Sequence, residues 1–279
     1  NETWLVLGVG VLLVAFPAAH GVILGALYLP VALMLLGLTL RGVAFDFRVK
    51  AKAHHKPLWN RAFYAGSLLA TAAQGYMLGQ LVMGFAPGWG AALFGLLIAV
   101  CLGAGYALLG AGWLILKTDG ELQLRAVRWA RGSLWLTAVG VAAVSIATPW
   151  LSERIFEKWF ALPYLVLLAP VPIATLVLFL VVDRSLRRLP VRLGQGNEYG
   201  AWVPFAGTIG IFLLAFYGLA YSLFPYLVVD RLSIWDAAAA PESLMIVFVG
   251  ACVVLPMIIG YTVFAYRVFR GKAQALEYG

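Results

Sequence analysis

Charge is scarce in this chain. Only 11% of its 279 residues are charged, against roughly 25% in a soluble domain. With 63% hydrophobic residues and a mean hydropathy of +0.93, that deficit excludes a water-soluble globule and predicts a polytopic membrane protein. Cysteine is nearly missing too. Cys101 and Cys252 both sit in apolar runs, which excludes a disulfide framework and a cysteine-based zinc site. The three histidines, His20, His54 and His55, lack metal-ligand spacing, and neither a nucleotide loop nor a nucleophile elbow occurs. No Asp, Glu, Lys or Arg lies at the centre of an apolar run, which argues against a cation-coupled transporter. The chain has no convincing repeat, no low-complexity tract and no room for a soluble domain. It reads as the partner of a catalyst, not as the catalyst.

What is present begins with Thr3 to Leu40, 38 residues without a formal charge. On a helix of ~1.5 Å rise they cover ~57 Å, against a hydrocarbon core of ~30 Å. That predicts two crossings joined by a tight turn between Gly21 and Pro30, with a kink near Pro17. The whole chain is expected to be all-α, a single transmembrane helix bundle over residues 1–279 with eight spans. They run roughly Thr3–Val22, Leu29–Phe47, Ala62–Phe85, Ala91–Leu116, Gly132–Trp150, Leu162–Val182, Trp202–Val228 and Leu244–Arg267.

The basic residues alternate from one connection to the next. Arg41, Arg48, Lys50, Lys52, Lys56 and Arg61 surround the second connection, Lys117, Arg125, Arg128 and Arg131 the fourth, and Arg184, Arg187, Arg188 and Arg192 the sixth. Arg267, Arg270 and Lys272 follow the eighth span, so 17 of the 20 basic residues share one side. Only Arg154, Lys158 and Arg231 lie opposite. The positive-inside rule places Asn1 and Gly279 in the cytoplasm, and the net charge of +8 marks a membrane orientation and not a nucleic-acid partner. Trp89, Trp150, Trp159, Tyr164, Tyr226 and Trp235 flank the outer span ends as an interfacial belt.

Each candidate residue carries two readings. Asn1 and Glu2 suit a helix N-cap and its dipole, or a carboxylate at the cytoplasmic mouth of a proton route; sequence does not choose. His20, near the outer end of the first span, is a hydrogen-bonded interface histidine or a haem or proton-relay group. In LRGVAFDFR, Arg41 and Asp46 form a span flank in which Asp46 pairs with Lys50, worth about 0.3–0.5 kcal/mol, or a surface that docks a partner helix. Thr71, Gln74 and Gln80 make packing hydrogen bonds or line a quinone or water path. Gly21 with Gly25 and Gly75 with Gly79 permit close helix approach, but matches of this kind are expected by chance among 30 glycines. KTDGELQLRAVRWAR reads as a solvated helix that protrudes from the membrane before entering it.

Five segments in register then carry a resemblance: NETWL with Trp4, LRGVAFDFR, KTDGELQLR, FPYLVV with SIWDAAAAPESL, and LPMIIGYTVFAYRVFRG. Their order and spacing resemble subunit II of the cytochrome bd quinol oxidases, in the cyanide-insensitive bacterial branch, over nearly the whole chain. The resemblance implies a heterodimer in the bacterial inner membrane with subunit I, which holds haems b558, b595 and d and oxidises quinol while oxygen is reduced to water. A proton gradient follows because the chemical protons come from the cytoplasm. Subunit II of that family binds no haem; some members hold a structural quinone, contribute to the proton path or add a very small third subunit. The family has nine spans and a Trp-Asp-Gly-Asn-Glu motif, of which Asn1 and Glu2 remain here, so one leading span and the motif's Asp are expected before residue 1. A secondary transporter or a structural membrane subunit is the alternative that the bundle alone permits.

Overall fold

The computed structural model describes residues 2–162, 164–269 and 271–273, with the side chains of residues 2–7 and of Leu167 outside that description. The first helix, α1 (Glu2–Ala15), meets α2 (Pro17–Lys50) at Phe16. A short 3-10 turn at Ala53–His55 leads into α3 (Lys56–Val82), followed by α4 (Trp89–Lys117) and α5 (Gly120–Leu151). Beyond these come α6 (Glu153–Phe160), α7 (Tyr164–Leu168), α8 (Pro170–Gly194) and α9 (Val203–Leu223). A small antiparallel hairpin, β1 (Tyr226–Val228) and β2 (Leu232–Ser233), precedes α10 (Ile234–Ala237) and α11 (Pro241–Val268).

The first hairpin departs from expectation. Gly21, Gly25 and Pro30 all lie inside unbroken α2, and the break falls at Phe16 (φ −138°, ψ 63°). Proline excludes its predecessor from the α region, so Phe16 is displaced while Pro17 takes the first helical position. Two glycines cost the helix only about 1 kcal/mol each, which is too little to open a turn. The kink expected near Pro17 is therefore present, but the tight turn after Gly21 is not.

Among the described residues, six helices are long and apolar enough to cross a membrane: α2, α4, α5, α7 with α8, α9 and α11. Two of the eight expected spans fall short of that test. The described α1 has 14 residues, or ~21 Å at 1.5 Å per residue. The 27 residues of α3 are diluted by Tyr64, Gln74, Tyr76, Gln80 and several glycines. Residues 120–131 are helical, as expected, and form the start of continuous α5.

Close packing sets the order of the bundle. A Cβ on Gly37 would lie 2.8 Å from Ala70 N, and one on Gly66 would lie 2.8 Å from Arg41 N, so α2 and α3 cross backbone to backbone. Gly75 abuts Ala99 and Gly79 abuts Gly95, which runs α4 antiparallel to α3. Gly140 sits on Cys101, Gly112 on Phe205, Gly105 on Phe212 and Gly207 on Val182, extending the same antiparallel register through α5, α9 and α8. Without a hydrophobic drive between helices in lipid, such small-residue contacts and the dispersion they permit hold the helices together. The largest buried cluster joins Leu108 and Ile115 of α4, Val127 and Leu134 of α5, Val182, Leu186 and Leu189 of α8, and Ile211 of α9. By contrast, α11 has no buried residue.

Candidate functional site

The residues singled out by sequence do not converge on one pocket. Asn1 lies outside the described residues, and Glu2 and Trp4 fall in the first turn of α1, where side chains are not described. Arg41 stands at the α2–α3 crossing over Gly66. Asp46 is exposed and, among the described residues, forms no ion pair, so the expected Asp46–Lys50 pair is not made. Five residues on a helix turn Asp46 well away from Arg41. The loop is instead closed by neighbours that sequence reasoning passed over: Arg48 Nε donates to Asn60 Oδ1, and the Phe47 and Trp59 rings meet at 5.2 Å.

His20 is half-buried; its backbone N–H donates to Phe16 O, but its ring makes no hydrogen bond among the described residues, so the hydrogen-bonded reading is not met. The His54 and His55 rings meet at 3.9 Å, tilted by 50°, in the α2–α3 connection. The polar residues of α3 serve packing. Gln80 Nε2 donates to Ala91 O at 2.8 Å, Tyr106 Oη donates to Gln74 Oε1 at 3.0 Å, and Thr71 packs beside Gly103. Gly75 and Gly79 form a real crossing, whereas Gly21 and Gly25 face open space.

At one end of the bundle a polar clasp ties two connections to the segment after α11. Lys117 Nζ donates to Phe269 O (2.8 Å) and Gly271 O (2.9 Å), and Ala273 N donates back to Lys117 O. Lys272 Nζ bridges Asp119 and Glu198, each at 2.9 Å, and donates to Thr118 O. Burial alone would lower the Lys272 pKa, but the two carboxylates outweigh it and raise it; the hydrogen bond from Lys272 holds Asp119 below its ordinary range. This end gathers the α4–α5 and α8–α9 connections and the segment after α11, as the alternation of basic residues implies.

The opposite end is capped by α6 and the hairpin. Arg154 Nε donates to Asp230 Oδ1 at 3.0 Å, with the guanidinium 4.5 Å over the Tyr226 ring. Lys158 Nζ caps the last turn of α9, donating to Tyr221 O (2.7 Å) and Phe224 O (3.0 Å), and burial together with nearby Arg154 lowers its pKa. Burial pushes Asp230 up, yet the neighbouring Ser152 hydroxyl and cationic Arg154 hold it below the usual range. Trp159 Nε1 donates to Ser222 Oγ, so Trp159 and Tyr226 take part in this cap, whereas Trp89, Trp150 and Trp235 are exposed.

Among the described residues, no three His, Cys, Asp or Glu side chains group as a metal site. What decides the family is the match along the chain. A family model described as cytochrome bd terminal oxidase subunit II matches residues 1–269. The chain belongs to that family. It is 25% identical to the cytochrome bd ubiquinol oxidase subunit 2 of Bacillus subtilis, covering 99% of this chain and 82% of the relative. Against the cytochrome bd-I ubiquinol oxidase subunit 2 of Escherichia coli the identity is 24%, over 98% and 81% of the two chains. A probable cytochrome oxidase subunit 2 of Haemophilus influenzae is 23% identical, over 99% and 82%. As a bd oxidase subunit II, the chain is part of an oxidoreductase complex and a multi-pass membrane protein with a subunit I partner.

Proposed function

We propose that this chain is the haem-free second subunit of a bd-type quinol oxidase, and that it acts by packing against the haem-bearing subunit while quinol is oxidised and oxygen reduced. The match over residues 1–269 carries this reading. The histidines support it: His54 and His55 lie together in one connection, and His20 stands alone beside the Phe16 break, so no pair faces across the bundle to ligate a haem iron from both sides. The partner-facing side is α11 with α1 and the outer half of α2, whose apolar side chains are left uncovered while α4 is buried along its length.

In this reading the chain crosses the membrane eight times, α1 and α3 included, with its basic end in the cytoplasm. Arg41 and Asp46 act in assembly and not in chemistry. Glu2 stands at the mouth of a proton route, and a structural quinone or a very small third subunit is accommodated on the open side. Affinity purification of the full-length protein from membranes tests the central point. The expected product contains a second, haem d-bearing chain and oxidises quinol; purification without haem, or unchanged quinol-driven oxygen uptake after deletion, would overturn it.

A further inference from the structure

We propose that the cleft at the α2–α3 connection binds the headgroup of an anionic phospholipid. This open cleft, of about 320 Å³, is lined by Phe47, Lys50, Ala51, Lys52, His54, His55 and Trp59. From Asp46 to Arg61 the chain carries five cations, Arg48, Lys50, Lys52, Lys56 and Arg61, against the single carboxylate of Asp46. Arg48 is turned onto Asn60. Among the described residues, Lys50 and Lys52 make no ion pair or side-chain hydrogen bond, so both ammonium groups keep all their donors for an anion. The imidazoles of His54 and His55 add further ring N–H donors on the same wall.

Two features select a lipid over a soluble phosphate. The tilted Phe47–Trp59 pair forms an amphipathic floor of the kind that settles at headgroup depth. Val49 and Leu58 beside it are exposed, and the apolar surface runs on into membrane-crossing α2, along which acyl chains can descend. The cleft at the opposite end makes the contrast. It is lined by Arg154, Glu157 and Lys158, but there the cations are already bonded to Asp230 and to backbone carbonyls and an acidic side chain shares the wall. A basic cluster immediately beside a span, with free lysines, is the arrangement that attracts anionic headgroups.

The proposal requires only that the chain spans a membrane, so it stands or falls separately from the oxidase role. Native mass spectrometry of the intact complex, exchanged into detergent with either phosphatidylglycerol or phosphatidylcholine, tests it. Phosphatidylglycerol is expected to stay bound and phosphatidylcholine to be lost. Retention should fall about tenfold in a Lys50→Gln, Lys52→Gln double variant and recover in Lys50→Arg, Lys52→Arg, while glycerol phosphate in excess leaves the lipid in place. Equal retention of the two lipids by the unmodified complex, unchanged retention in the glutamine variant, or full displacement by glycerol phosphate would each overturn it; the last would make the ligand a soluble phosphate.

Discussion

The interior of the bundle and its open side are built on opposite rules. In the interior, α3 meets α4, α4 meets α5 and α9, and α9 meets α8 at glycines with no space for a Cβ, and α4 alone buries eleven residues. In α1 and α11, Gly8, Gly10, Gly250 and Gly260 have nothing within 4 Å of where a Cβ would sit. The same residue type is thus a packing device in one region and spare in the other. A helix that holds its place by its ends, through Ala239 N to Ala15 O and the Lys117–Lys272 clasp, while leaving its whole length unburied is ready to be covered by another protein.

The largest effect should come from filling the interior. Gly75→Leu or Gly140→Leu must push backbone or Cys101 aside, a cost of about 3 kcal/mol or more, and is expected to abolish recovery of folded complex in a detergent thermal-shift assay. Gly8→Leu and Gly250→Leu should leave the chain itself as stable as before. Next in size is disruption of the open side. Val253→Trp on α11 adds bulk that lipid tolerates and a packed partner does not, so it should lower co-purified haem by about tenfold, or ~1.4 kcal/mol, with the chain still folded. Arg41→Ala should reduce haem content and activity in parallel, and exposed Asp46→Ala should do so more weakly; activity lost at full haem content would assign these residues a chemical role instead.

The smallest effect belongs to the clasp. Its contribution is present above the ordinary Asp pKa near 3.8 and fades as pH falls through the depressed Asp119 value. It is likewise present below the ordinary Lys pKa near 10.5 and fades as pH rises through the elevated Lys272 value. Proteolytic protection of residues 271–273 should therefore be flat across neutral pH and drop at both extremes. Lys272→Met should weaken that protection at every pH while changing overall stability by less than about 1 kcal/mol, because the pairs are solvated.

How much of this was readable in the residues differs by feature. The helical class, the helical start of α5 and the gathering of basic connections at one end follow from hydropathy and charge, which act residue by residue. The tight turn expected between Gly21 and Pro30 is absent because Gly21 does not force a turn, whereas Pro17 constrains the residue before it and sets the break at Phe16. The Gly75–Gly79 crossing could not be separated from the idle Gly21–Gly25 spacing, since the difference lies in what stands opposite, Ala99 and Gly95 in one case and open space in the other. The Arg154–Asp230 and Lys272–Glu198 pairs span 76 and 74 positions, beyond the reach of any local pattern.

Cys252 lies exposed on α11, and Cys101 is buried against Gly140. A thiol-directed photocrosslinker placed on Cys252 in intact membranes, with the adducts identified by mass spectrometry, tests the account most directly. The account predicts a crosslink to a haem-bearing oxidase subunit; adducts with lipid alone would contradict it.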